Sequence, residues 1–470
     1  MKIKLLKFFT LLFVSFSYAQ TPCTSGFAGV YPCDEIDLMS RLTLTQLGGT
    51  ASTEGNDCWG WTDPVNGREY AIIGTTTHTA FVDITNPTTP IYLGKINSRN
   101  NVSSIWRDIK VYKNYAFIVS EAAGHGIQIF DLTRLRTVTT PVVFTPDALY
   151  SGFGNCHNIA INETSGFAYC IGTNTFGGGP RVVNIQNPLN PVFSFGYANA
   201  GYSHDAQIVT YNGPDINYTG QEIFFGANEN EVVIMNVTNK ANPVILSSFT
   251  YSNVSYTHQG WLTPDQKYFI VGDEEDEVTF GNNTRSIIVD LTSLDNPALK
   301  GQYFGPTAAI DHNGYTKENE FYLANYTAGL RILNTSNING SGTMNEVGYF
   351  DTYPSNNVNQ FNGAWSNYPY FPSGNVIISD IERGLFIVRK KPILGTSEFE
   401  TKEFKIYPNP AKNSFSIQSK IDIEELVIYN SVGQLVKKFA KSKNYDISGL
   451  PKGVYFISIN NENKEKLIIE

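Results

Sequence analysis

From about residue 55 the chain alternates short apolar runs with clusters of Gly, Asn, Asp, Thr and Pro. Runs this short, broken by turn-forming residues, predict β-strands joined by tight connections rather than helices. The alternation has a longer period. A polar pair opens a strand, a second strand ends in polar residues, and a third reads apolar-apolar-Asp/Asn; Asn-Pro then often launches a fourth. The pairs are Arg107-Asp108, His157-Asn158, His204-Asp205, His258-Gln259, His312-Asn313 and Phe361-Asn362, their second members 50, 47, 54, 54 and 49 residues apart. A degenerate copy opens near Asp57-Cys58-Trp59, giving seven units. Four short strands at this period are the signature of a propeller blade. Runs such as Ile287-Ile288-Val289 fit sheets buried on both faces.

The expected fold is therefore all-β: a seven-bladed β-propeller. The seventh copy stops after its third strand at Arg389, and an unattached alternating segment, Leu42 to Leu47, precedes the first. Pairing the two closes the ring and leaves no exposed edge, so 42–47 is the expected closing strand.

The ends carry different signals. Lys2, Lys4 and Lys7 precede an apolar stretch from Phe8 to Val14, then Ser17-Tyr18-Ala19. This is the pattern of a secretory signal peptide cleaved between Ala19 and Gln20. The periodicity ends at Lys390-Lys391-Pro392, and short alternating strands resume near Phe404, broken by Pro-Asn-Pro, Val-Gly-Gln and Pro-Lys-Gly turns. They predict a small C-terminal β-sandwich. The organisation read from the sequence is a signal peptide (1–19), an N-terminal segment (20–40), the propeller (41–391), a linker (392–402) and a C-terminal domain (403–470).

An exported chain permits disulfides. Cys23 and Cys33 bracket a short loop and form the first candidate pair; Cys156 and Cys170, on two strands of one hairpin, are the second, leaving Cys58 over. The net charge of −9, with no basic cluster, argues against nucleic acid as a partner.

The Tyr407-Pro408-Asn409-Pro410 opening, the stretch Asn430-Ser431-Val432-Gly433-Gln434-Leu435-Val436 and Leu450-Pro451-Lys452-Gly453-Val454-Tyr455 closely resemble the type A sorting domain of the type IX secretion system of Bacteroidetes. The resemblance implies export by that machinery, removal of the domain, and release or attachment to surface lipopolysaccharide. Secretion or display on the outer cell surface is then expected. The repeats, with Ser203-His204-Asp205-Ala206-Gln207, Tyr256-Thr257-His258-Gln259-Gly260-Trp261 and Ile378-Ser379-Asp380-Ile381, resemble the LVIVD-repeat proteins of the choice-of-anchor B family. That resemblance implies a propeller-like body paired with an anchor and brings no catalytic residues.

Propeller topology puts the start of each innermost strand and the end of each second strand on one face. The candidate ligand or metal residues at the channel mouth are Asp108, His157, Asn158, His204, Asp205, His258, Gln259, Asp273, Glu274, His312, Asn313, Asn362 and Asp380. Four of the six histidines fall in this set. Either each pair satisfies backbone groups between blades, or the ring binds an ion or small polar ligand; imidazoles with carboxylates suit zinc, an oxygen-rich subset calcium. The acidic run Asp273 to Glu277 reads as a solvated loop, since it lacks the alternation and central Gly of a calcium-binding loop. No nucleophile elbow or His-Glu-x-x-His motif is present. The expectation is a non-catalytic surface protein with a protein or glycan ligand; the alternative is a metal-dependent hydrolase or lyase using the channel-mouth histidines.

Overall fold

The computed structural model describes residues 20–391, 404–419, 423–430, 434–442, 444–460 and 463–470. The expected signal peptide and linker lie outside the described residues. The chain divides into two compact units after Lys391.

Seven sheets make up the described part of the first unit. Their innermost strands are Gly55–Thr62, Arg107–Tyr112, Asn158–Asn162, Asp205–Thr210, Thr257–Leu262, Gly314–Lys317 and Ala364–Tyr368. Each lies against the next, and Ala364–Tyr368 lies against Gly55–Thr62, so the cycle closes as in a β-propeller. Within each sheet the inner strands run antiparallel from the inside outward, while the outermost strand of the first, Val142–Phe144, pairs parallel.

The stability of this body resides between the sheets. Successive residues of a strand point to opposite faces, so each strand feeds two cores. Ile287 and Val289 pack with Ile223 and Phe225 of the preceding sheet, whereas Ile288 packs with Phe321 and Leu323 of the following one. Likewise Ile72 meets Ile118 and Phe130 on one side, while Ile73 meets Ile377 and Leu385 on the other. Each such side chain, fully buried, contributes roughly 1.5–3 kcal/mol. A strand apolar on both faces therefore holds its sheet to both neighbours.

Closure comes from the N-terminal segment, but not from the residues expected. Ile36–Leu42 pairs antiparallel with Gly384–Lys390, from Ile36 opposite Lys390 to Leu42 opposite Leu385. Of the stretch Leu42 to Leu47, only Leu42 belongs to a strand. The remainder turns back, with Leu47 N–H donating to the Thr43 carbonyl (3.0 Å) and Thr43 N–H to Gln46 Oε1 (2.8 Å). Further upstream, Tyr31–Asp34 adds to the outer edge of the sixth sheet through Cys33 and Asp34, opposite Phe350 and Tyr349. The Cys23–Cys33 disulfide forms there. Cys156 and Cys170 do not bond; both are free and buried. Cys170 pairs in register with Ile159, so Cys156 lies short of the strand that would have placed it opposite.

In the second unit, Phe404–Tyr407, Ser414–Ser419 and Tyr445–Asp446 form one sheet, and Leu435–Ala440, Glu425–Asn430, Gly453–Ile459 and Asn463–Ile469 another. They share a core that includes Phe415, Ile428, Tyr445, Ile457 and Leu467.

Ile36 is fully buried in the core between the sixth and seventh sheets. Ile36→Ala is expected to cost about 2–5 kcal/mol in urea unfolding, whereas the exposed Val30→Ala is expected to stay within about 0.5 kcal/mol. Equal effects would mean that the strand does not close the ring.

Candidate functional site

At one mouth of the channel four imidazoles stand in a row. The ring centroids of His157 and His204 are 4.2 Å apart, those of His204 and His258 4.3 Å, and those of His258 and His312 4.3 Å. Their positions follow from the repeat, since each lies within two residues of the start of an innermost strand. They line a small recess of about 10 Å³ together with Trp106, Arg107, Asn158, Asn313 and Trp365. Trp106 (41% exposed) and Phe361 (50%) present aromatic surface beside it.

Hydrogen bonds orient three of these rings. His204 Nδ1 lies 3.0 Å from the His258 carbonyl, and His312 Nδ1 lies 2.5 Å from the Trp365 carbonyl. A carbonyl only accepts, so both rings carry their proton on Nδ1, and in the neutral form Nε2 keeps a lone pair. His157 Nδ1 is 2.6 Å from Glu121 Oε1, which fixes the same tautomer. Glu274 reaches the last two rings: its Oε2 is 3.6 Å from His258 Nε2 and its Oε1 3.6 Å from His312 Nε2. The Tyr326 hydroxyl donates to Glu274 Oε1 at 2.8 Å. Burial pushes the pKa of His258 and of His312 down to about 3, with neighbouring imidazoles adding to the effect. Burial also drives His204 well below its ordinary value. These rings are neutral at physiological pH.

Of the other expected site residues, Asn158 and Asn313 also line the recess, and most of the set serve as braces between sheets. Asp108 accepts from Ile159 N–H (2.7 Å) in the next sheet and pairs with Lys110. Asn158 donates to the His204 carbonyl (3.0 Å), Gln259 exchanges two hydrogen bonds with Gly314 (3.1 Å each), and Asn313 reaches Ser366 Oγ (3.3 Å). Asp205 belongs to the charged group around Lys110 and Asp108, and burial raises its pKa to about 7. Asp273 is bound by Ser255 N–H and Tyr256 N–H (2.9 and 2.6 Å), and Asp380 by Glu382 N–H and Arg383 N–H (3.0 and 2.7 Å). Asn362 sits in a turn before its strand and donates to Glu382 (2.5 Å). The mouth position of the seventh sheet belongs instead to Trp365, 53 residues beyond His312. Stepping forward from His312 by the 54-residue interval of the two preceding copies lands on Ser366, the residue next to it.

The acidic run is not a solvated loop. Asp273, Asp276 and Glu277 are fully buried, with Asp276–Phe280 forming a short helix. The Arg285 guanidinium compensates them: Nε donates to Asp276, and Nη1 and Nη2 donate to the Ser252 and Asn253 carbonyls (2.9 and 2.7 Å). One arginine does not neutralise every acid. Burial, reinforced by Asp276, raises the Glu277 pKa to about 9, and burial among these acids raises that of Asp311 well above the carboxylate range. Glu277 is therefore held as a neutral acid.

Residues 405–470 match the family of secretion system C-terminal sorting domains. Among characterised proteins, the chain is similar to β-agarase A of Zobellia galactanivorans, 29% identical over 201 residues that cover 41% of this chain and 34% of that enzyme. The chain thus spans about a third of the length of the curated relative it matches. Solved structures similar to it include hydrazine synthase of Kuenenia stuttgartiensis (TM-score 0.47, 13% identity, 68% of this chain and 92% of that one). The Cps50 (Swd1) β-propeller domain of Myceliophteria thermophila gives 0.44, 9%, 68% and 93%. The sorting domain implies handling by the type IX machinery, and the protein is exported, either secreted or attached to the cell surface.

Glu277 titrates near 9 when folded against an ordinary 4.5, so its stabilising contribution is complete below about pH 4.5 and is lost as pH rises toward 9. The depressed histidines act in the opposite sense, losing stability as pH falls from 6.5 toward 3. Glu277→Gln is expected to flatten the alkaline decline of the melting temperature, worth up to about 1.4 kcal/mol per pH unit, and to leave the acid limb unchanged. Thermal melts across this range read both limbs; an unaltered alkaline limb would show that Glu277 is already ionised.

Proposed function

We propose that this protein is a seven-bladed β-propeller of the LVIVD-repeat, choice-of-anchor B kind, joined to a small β-sandwich sorting domain, and that it acts outside the cell as a non-catalytic binding protein. A signal peptide at 1–19 starts its export, and the C-terminal domain completes it, with attachment to surface lipopolysaccharide as the anchored outcome. The carrying observation is the channel-mouth face: a small recess lined by imidazoles and amides, with Trp106 and Phe361 exposed beside it. Aromatic surface bordering a concave polar pocket supplies contact area and directional hydrogen bonds for a glycan or protein ligand. The disc that carries it is braced between sheets, so little ordering is required on binding.

Two measurements test the reading. Removing 405–470 in the native host is expected to trap the body inside the cell envelope. On glycan and surface-protein panels, the intact protein is expected to retain a ligand unaltered, and Trp106→Ala with Phe361→Ala to weaken that binding about tenfold or more. Turnover of a bound glycan, or binding indifferent to both substitutions, would overturn it.

A further inference from the structure

The mouth holds an arrangement that its own hydrogen bonds leave unresolved. His312 has its proton on Nδ1, so its Nε2 lone pair lies 3.6 Å from Glu274 Oε1, itself an acceptor. Two acceptors lie within van der Waals range with no donor between them. On the other side, Glu274 Oε2 is 3.6 Å from His258 Nε2, too far for a hydrogen bond, and His258 Nδ1 is buried with no hydrogen-bond partner among the described residues. A cation among the three side chains reconciles these contacts.

We propose that His258 Nε2, His312 Nε2 and the Glu274 carboxylate form a binding site for one divalent transition-metal ion of the zinc class. One nitrogen of each imidazole and one carboxylate oxygen lie within 4.8 Å of one another. At metal–ligand bonds of about 2.1 Å, a tetrahedral site places its donors about 3.4 Å apart; each imidazole has one Glu274 oxygen at 3.6 Å, and the three donors need close only from within 4.8 Å. Outer contacts are those a metal site uses: His312 donates its Nδ1–H to a backbone carbonyl, and the ligating carboxylate is held by the Tyr326 hydroxyl. Two nitrogens and one carboxylate do not suit calcium, which takes six to eight oxygens. With three protein ligands the ion keeps a coordination position free, as catalytic and ligand-binding zinc sites do and closed structural sites do not. The recess lined by His204 and His157 adjoins it. An oxygen donor of an incoming ligand is the natural fourth partner.

This inference does not depend on what the aromatic surface binds. The test is metal uptake by the purified full chain, stripped with chelator and titrated with Zn²⁺ by calorimetry and elemental analysis, and with Co²⁺ by visible absorption. One equivalent is expected, with the intense absorption of four-coordinate cobalt. Glu274→Gln preserves shape and the acceptor for Tyr326, and should weaken uptake more than about 100-fold; Tyr326→Phe, acting through Glu274, should weaken it about tenfold. His204→Asn should leave the stoichiometry at one. Circular dichroism and thermal melts confirm that each variant is folded, and His312→Asn replaces any that is not. Substoichiometric uptake, a six-coordinate cobalt spectrum, or uptake unaltered in folded Glu274→Gln would overturn the assignment. Loss of glycan or protein binding in Trp106→Ala would leave it standing.

Discussion

Everything in the first unit depends on one non-local pairing, that of Ile36–Leu42 with Gly384–Lys390. Without it the seventh sheet has three strands and an open edge, and the core containing Ile36, Phe386 and Val388 loses a wall. Each sheet is fixed by its two neighbours, so a gap at one junction weakens the whole cycle. Cohesion here is circular. The disulfide and the Tyr31–Asp34 strand reinforce the same junction by fastening the segment just before the closing strand to the sixth sheet.

The polar residues of the inner strands do two kinds of work that the repeat does not distinguish. The second members of the pairs mostly face neighbouring strands, satisfying backbone or side-chain groups across each junction, as Gln259 does for Gly314. The first members sit at the mouth, where a ring satisfied at Nδ1 still has a free nitrogen. Burial keeps these rings uncharged, and Glu274 supplies the one negative group between His258 and His312. Bracing and ligand capacity coexist in His157, His204 and His312 because an imidazole has two nitrogens and Nδ1 alone is engaged by the fold.

The architecture was legible because it repeats: alternation, turn residues and Asn-Pro breaks recur often enough to be counted. The single features were harder. Leu42-Thr43-Leu44-Thr45 alternates as a strand should, yet the Thr43 and Gln46 side chains fold it into a turn; the true strand contains Asp37, buried because Cys23 N–H and Gln20 bind it. The acidic run looked solvated because Arg285, eight residues beyond Glu277, compensates it only in three dimensions. His258, His312 and Glu274 were each named from spacing, but their convergence depends on where the second strand of one sheet ends relative to the first strand of the next. A misplaced count at Phe361-Asn362 hid Trp365 for the same reason.

A ring fastened by its two ends has a temporal side. The strand that completes the seventh sheet is among the first parts of the body to be synthesised, and its partner, Gly384–Lys390, is among the last. Until that partner arrives, Ile36–Leu42 has no sheet to join, and every intermediate length exposes an apolar flank. Folding of the body must therefore wait for nearly the whole polypeptide, and the segment recognised for export follows immediately behind the final strand. Completion of the disc and availability of the export signal are thus set by the same short interval of chain.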